Sequence, residues 1–155
     1  MKQTALLLIA FLGFQTALIA QEGKRQQGFN LNSRHIAIQG YDPVAYFIQR
    51  KAVKGKASFA VLHEGVTYHF SSPQNKTVFL AQPSKFEPQY GGWCAYAMGA
   101  TGEKVTVNPE TFKIVNGKLF LFYNKLFTNT LKTWNKDEKS LNIKADANWR
   151  TLLNR

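Results

Sequence analysis

One cysteine stands in 155 residues, which excludes an intramolecular disulfide framework and any zinc site built from cysteine pairs within one chain. Acidic residues are also scarce, 9 against 20 Lys plus Arg, for a formal charge of +11. Charged residues are only 19% of the chain while apolar ones reach 45%, a balance that excludes a disordered tail and a coiled coil. Internal repeats, low-complexity runs, a Gly-rich phosphate loop and a Gly-x-Ser-x-Gly elbow are all missing. The length suits one domain, too short for separate cofactor and substrate lobes.

The first twenty residues read as a signal peptide. Lys2 supplies a positive start, Leu6–Phe14 is apolar apart from Gly13, and small Ala20 precedes polar Gln21-Glu22. Leu18 is a poor residue three before the cut, so cleavage a residue or two away is equally compatible, and an uncleaved anchor is the competing reading. No second apolar stretch approaches membrane-spanning length. The expectation is an exported protein, periplasmic or secreted, with residues 21–30 a flexible polar lead-in and residues 31–155 one domain. A basic chain usually points to nucleic acid. For an exported one the anionic partner is instead an envelope component, a lipid headgroup or polysaccharide, and no nucleic acid is expected. The plainer reading is that the charge serves solubility.

Turn and cap signals then divide the chain. Asp42-Pro43 and Ser72-Pro73 each read as an N-cap followed by proline, opening one helix through Val44, Tyr46 and Phe47 and another with Val78, Phe79 and Leu80 as its stripe. Ser58–Phe70 around Glu64-Gly65 and Phe112–Tyr123 around Asn116-Gly117 read as hairpins expected to share one antiparallel sheet. Lys118–Tyr123 is apolar on both faces and therefore central. Short strands are expected at Arg34–Gln39 and Lys104–Val107, and helices near Leu126–Trp134 and Glu138–Leu153. Hairpins mixed with short helices give an α+β fold, a small antiparallel sheet with helices packed on it.

Chemistry concentrates at Gly91-Gly92-Trp93-Cys94-Ala95-Tyr96-Ala97-Met98-Gly99. In a helix Cys94 and Met98 stand at i and i+4 on one face, and two sulfur ligands suit a soft metal, above all Cu(I). Against this, Cys and Met are both common core residues. An unpaired thiol in an oxidising compartment must be buried, bound or used, which leaves a thiol-based redox enzyme or sensor as an alternative to metal binding. His35, His63 and His69 all alternate away from apolar neighbours or sit in a turn, so each alone reads as a surface residue. Tyr41, Tyr46, Tyr90, Trp93 and Tyr96 are candidates to gather around Cys94, as a shielded site or as an aromatic core. Asp42 and Glu87 form a carboxylate pair only if folding brings them together, and Asp42 reads first as a helix cap. Asn75-Lys76-Thr77 matches a glycosylation sequon but falls inside an expected helix.

Taken together, Gly40-Tyr41-Asp42-Pro43-Val44-Ala45-Tyr46-Phe47, Thr67-Tyr68-His69-Phe70-Ser71-Ser72 and Gly91-Gly92-Trp93-Cys94-Ala95-Tyr96-Ala97 resemble the exported YHS-domain proteins of bacteria. The resemblance continues through Asn116–Asn124 and ends in Ala145–Trp149. YHS domains are similar to Cys-rich metal-binding modules attached to copper-transporting ATPases and some oxygenases, so the resemblance implies a metal-related role and singles out His69 among the histidines. Those modules carry several cysteines and this chain only Cys94, so a full thiolate site does not carry over. The expectation is a non-enzymatic copper-binding module with Cys94, Met98 and His69 as ligands. Its competitors are a redox role for Cys94 and a metal-free domain that binds an envelope component.

Overall fold

Two glycine-containing turns organise much of the chain. In the computed structural model, which describes residue 23 and residues 25–154, Glu64-Gly65 joins β1 (Lys56–His63) to β2 (Val66–Phe70), and Asn116-Gly117 joins β3 (Asn108–Val115) to β4 (Lys118–Phe122). All four turn residues have positive φ, the conformation that matches a two-residue loop to the twist of its strands. A third hairpin, β5 (Asn124–Lys125) and β6 (Thr128–Asn129), turns on Leu126-Phe127. The expected signal peptide lies outside the described residues.

The α+β class is as expected, but the two long hairpins do not share a sheet. Each of the three hairpins is its own two-stranded antiparallel sheet. The reason lies at the strand edges. The free edge of β2 is met by Ile36, bridged to Thr67, and that of β4 by Pro88 and Cys94, bridged to Leu119 and Leu121. Irregular chain thus takes the backbone groups that another strand would have used. Ile36 and Ala37 contribute only isolated bridges, so the strand expected at Arg34–Gln39 gives way to a 3-10 turn over Ile38–Gly40. Lys104–Val107 is likewise not a strand, although Val105 accepts a hydrogen bond from the Cys94 N–H.

Both caps that stand before a proline form as read. Asp42 opens α1 (Pro43–Ile48) and Ser72 opens α2 (Pro73–Ala81) by accepting from Asn75 N. Of the expected α2 stripe only Phe79 is buried, because consecutive helical residues fan out around the axis and cannot share a face. Short α3 (Pro83–Phe86), a 3-10 turn over Gln89–Gly92 and α4 (Ala95–Ala100) follow. The helix expected from Leu126 starts only at α5 (Thr130–Trp134), capped by Asn129, and α6 (Glu138–Leu153) has the bounds that the sequence suggested.

Strand β4 is the wall between two cores. Leu119 and Leu121 join a cluster with Val44, Tyr46, Tyr68, Phe70, Phe79 and Cys94, while Phe120 and Phe122 join Tyr90, Ala95, Met98, Trp134, Leu141 and Ala145. Its apolar character on both faces, legible in the sequence, follows from that position. Helix α6 packs so closely on α4 that a Cβ on Gly99 would lie 2.5 Å from the Leu141 carbonyl oxygen. Residues 25–28 are helical, and this segment is tied to the rest of the fold. Trp93 Nε1 donates to Gly28 O (2.7 Å), Asn30 N to Gly91 O (2.8 Å), and Arg25 forms ion pairs with Glu64 and Glu87.

Candidate functional site: two clefts that meet at Tyr123

Cys94 is fully buried and is the N-cap residue of α4, with ψ of 117°. The turn before it puts Tyr90, Gly91 and Gly92 at positive φ, folding the chain back so that Cys94 pairs beside Leu121. Its sulfur accepts from Tyr123 N–H at 3.3 Å and lies 3.4 Å from Thr130 Oγ1. The Thr130 hydroxyl donates to Tyr123 O at 2.9 Å. That hydroxyl has one proton, so the thiol is the donor to Thr130 Oγ1. The thiol therefore closes a ring of three hydrogen bonds with one residue's backbone and one hydroxyl.

The three expected metal ligands do not gather. Met98 is buried in the core cluster of Trp134 and Leu141, on the other side of β4 from the cluster that holds Cys94. His69 is half-buried against Gly40 and Gly55, and its imidazole is held below its usual value by desolvation and by the nearby charges of Arg34 and Lys54. His35 is exposed, and His63 ends β1 with its ring edge-on to Phe79. Among the described residues no three His, Cys, Asp or Glu side chains stand together as a metal-holding group. The donor set around Cys94, one thiol already engaged with a hydroxyl and a backbone amide, does not fit a copper ion.

The expected aromatic shell disperses as well. Tyr46 packs edge-on to Phe112 and donates to Pro109 O, Tyr90 donates to Asp146, and Trp93 faces Gly28. Tyr96 alone of the five lines the space beside Cys94. Asp42 and Glu87 are not a pair. Oδ1 of Asp42 caps α1 at Val44 N and Ala45 N, while Oδ2 accepts from Ser71 N, Ser71 Oγ and Asn75 Nδ2. Glu87 is bonded to Tyr68 and Arg25. Asn75, buried with its amide bound to Asp42, is no glycan acceptor in the folded chain.

What the fold does assemble is a pair of adjoining clefts. The first, about 280 Å³, has Cys94, Tyr96, Ala97, Val105, Tyr123 and Thr130 in its walls, with Ala100 and Glu103 also lining it. The second, about 370 Å³, is polar, with Tyr41, Lys54, Glu110, Asn124 and Lys125 among its walls. Tyr123 lines both. Within the polar cleft Tyr41 donates to Glu110 Oε1 at 3.0 Å, and the Lys54 ammonium sits 4.1 Å from the Tyr41 ring centre while donating to Gln39 O. Desolvation first, then the Glu110 hydrogen bond and charge, raise the Tyr41 phenol above its ordinary value. Lys125 is exposed at the mouth and has no carboxylate partner among the described ion pairs.

Sequence reading missed Lys54, Glu110, Asn124 and Thr130. Tyr41, Cys94, Tyr96 and Tyr123 each line one or both of the two clefts, and no local pattern in the sequence marks the other four. A larger cavity of about 690 Å³ lies between residues 25–29 and the end of α6. Arg25 and Lys104 in its walls already have partners. Arg25 pairs with Glu64 and Glu87, its Nε 3.4 Å from Glu64 without a hydrogen-bonding angle, and Lys104 donates to Gln27 O. Comparison with protein-family models, curated proteins and solved structures gives no match to this chain.

Proposed function

We propose that the chain is an exported, non-enzymatic binding domain that holds a small anionic amphiphile across the two clefts that share Tyr123. The observation that carries the reading is the sharing of Tyr123 between an apolar cleft and a polar cleft with two lysines. A binding site of this kind needs an apolar wall and a few placed polar groups. The apolar part of the ligand lies against Tyr96, Val105 and Ala97, and its anionic end faces Lys54 and Lys125. Export, and with it an envelope component as the source of the ligand, rests on residues 1–20 alone. The YHS resemblance is compatible with this role and supplies no reaction.

Cys94 serves here as part of the cleft floor. Its thiol holds Tyr123 and Thr130 in place rather than acting as a ligand to copper or as an exposed nucleophile. The reading is tested by titrating the protein with a fluorescent carboxylate of medium chain length. Saturable binding is expected, weakened about ten-fold, the worth of one lost charged hydrogen bond, by Lys54→Ala. Ala100→Trp, placed at an exposed position on the wall of the apolar cleft, is expected to abolish it. Unchanged affinity in both variants overturns the reading.

A further inference from the structure

We propose that Leu126-Phe127, the tip of the β5–β6 hairpin, is a membrane-docking element that enters the interfacial region of an anionic lipid surface. The proposal does not rest on the clefts having a ligand. Leu126 is 87% exposed and Phe127 is fully exposed at 105%. Among the described residues the other large apolar side chains that stand open to solvent, Leu62, Ile143 and Ile48 among them, have no such neighbour next to them in sequence, whereas these two are consecutive at a turn.

The turn chemistry carries the argument further. The same chain builds its other two-residue hairpin turns from Glu64-Gly65 and Asn116-Gly117, with glycine where positive φ is cheapest. At the third turn Leu126 itself takes φ of 54°, a conformation that opposes a bulky side chain. Leu126 shares positive φ with Glu64 and Asn116 at the first position of the other two turns, but it alone of the three is a large apolar residue held open to water. Strain of this kind persists where surrounding structure enforces it and concentrates at functional positions. Here the enforcing structure is the Asn124–Asn129 and Lys125–Thr128 pairing and the Thr130 N–H to Tyr123 O bond directly behind it.

Charge selects the partner. From Thr111 to Lys136 the chain has Lys113, Lys118, Lys125, Lys132 and Lys136 and no acidic residue. Lys113 is spent on Glu138, while Lys118, Lys125, Lys132 and Lys136 are exposed. Lys125 directly flanks the apolar tip in sequence and the chain as a whole carries +11, and both match an anionic bilayer surface. The aromatic ring sits at headgroup depth and each basic residue near the surface adds attraction. A second copy of this chain, with the same positive charge, is a poorer match.

The test uses protein recovered from the cell in its native form and two vesicle compositions, phosphatidylcholine alone and phosphatidylcholine with phosphatidylglycerol. Wild-type protein is expected to co-sediment with the anionic vesicles, less so as salt rises. Joint replacement Leu126→Asn with Phe127→Gly installs the residue pair found at 116–117 and puts Asn, which tolerates positive φ, at position 126. It is expected to leave the melting temperature unchanged or higher while weakening vesicle binding at least about ten-fold, as removal of two interfacial side chains requires. Phe127→Trp is expected to add a blue-shifted emission that brominated lipid quenches. Equal vesicle binding by the double variant, no preference of the wild type for anionic vesicles, or a change of oligomeric state with vesicle binding intact would each overturn the proposal.

Discussion

Replacing Asp42 by alanine tests how this fold is tied together. The carboxylate is fully buried and accepts five hydrogen bonds, two from the first turn of α1, two from Ser71 and one from the Asn75 amide. It therefore joins α1 to the end of β2 and the start of α2. Loss of an N-cap costs about 1 kcal/mol. The Ser71 N–H and the Asn75 amide then lack an acceptor in the interior, at about 1–3 kcal/mol for each stranded group. Asn75 and Ser71 keep a mutual contact at 3.3 Å, which recovers part of this. The expected loss is about 3–5 kcal/mol, a large share of the ~5–15 kcal/mol that holds a domain together. With a urea slope of about 2 kcal/mol per molar, the midpoint falls by roughly 2 M. Urea unfolding followed by both circular dichroism and tryptophan fluorescence reads it. Asp42→Asn keeps one oxygen for the cap but turns an amide toward donors on Ser71 and Asn75, so it recovers less than half of the loss. A fall below about 1 kcal/mol for Asp42→Ala would refute the reasoning, because a cap alone accounts for that much.

Three further outcomes follow from the same contacts. Gly99→Ala drives a methyl into the Leu141 carbonyl, so an overpacking loss of about 1–3 kcal/mol outweighs the ~1 kcal/mol gain in helix propensity, read as a lower melting temperature. His69, whose imidazole is depressed by desolvation, Arg34 and Lys54, favours the neutral form in the folded chain. Its contribution to stability is present above the ordinary histidine value and is lost as pH falls below it, so His69→Gln flattens the acid side of a stability–pH curve. Cys94→Ser leaves copper uptake unchanged in a titration, since Met98 and His69 stand elsewhere. The same variant lowers stability, because the hydroxyl is shorter than the thiol and reaches Tyr123 N and Thr130 less well.

Local signals in the sequence were reliable where a single residue pair decides the backbone. Asp42-Pro43, Ser72-Pro73, Glu64-Gly65 and Asn116-Gly117 all do what their chemistry implies. The double-faced strand Lys118–Phe122 was legible because only a wall between two cores needs apolar groups on both sides. Leu126-Phe127 was not legible as a turn, since two apolar residues continue a helical pattern and only the third hairpin's pairing forces them out. The pairing of Cys94 with Met98 failed for a specific reason. The i, i+4 rule holds when both residues are inside the helix, and Cys94 is the cap, whose ψ of 117° turns its side chain away from the stripe. The edges of β2 and β4 were closed by residues distant in sequence, which no local pattern announces. The same is true of Lys54, Glu110 and Thr130, brought to Tyr123 by the packing of the hairpins against the loops between helices.

The proposed ligand site is the pair of clefts that share Tyr123. Its most direct test is amide chemical-shift mapping by NMR during titration with a medium-chain carboxylate. Saturable shifts are expected to cluster at Val105, Tyr123, Asn124 and Thr130, with Lys54 and Lys125 among the most affected. Shifts that cluster instead around Arg25, Tyr90 and Trp149, or that never saturate, would contradict it.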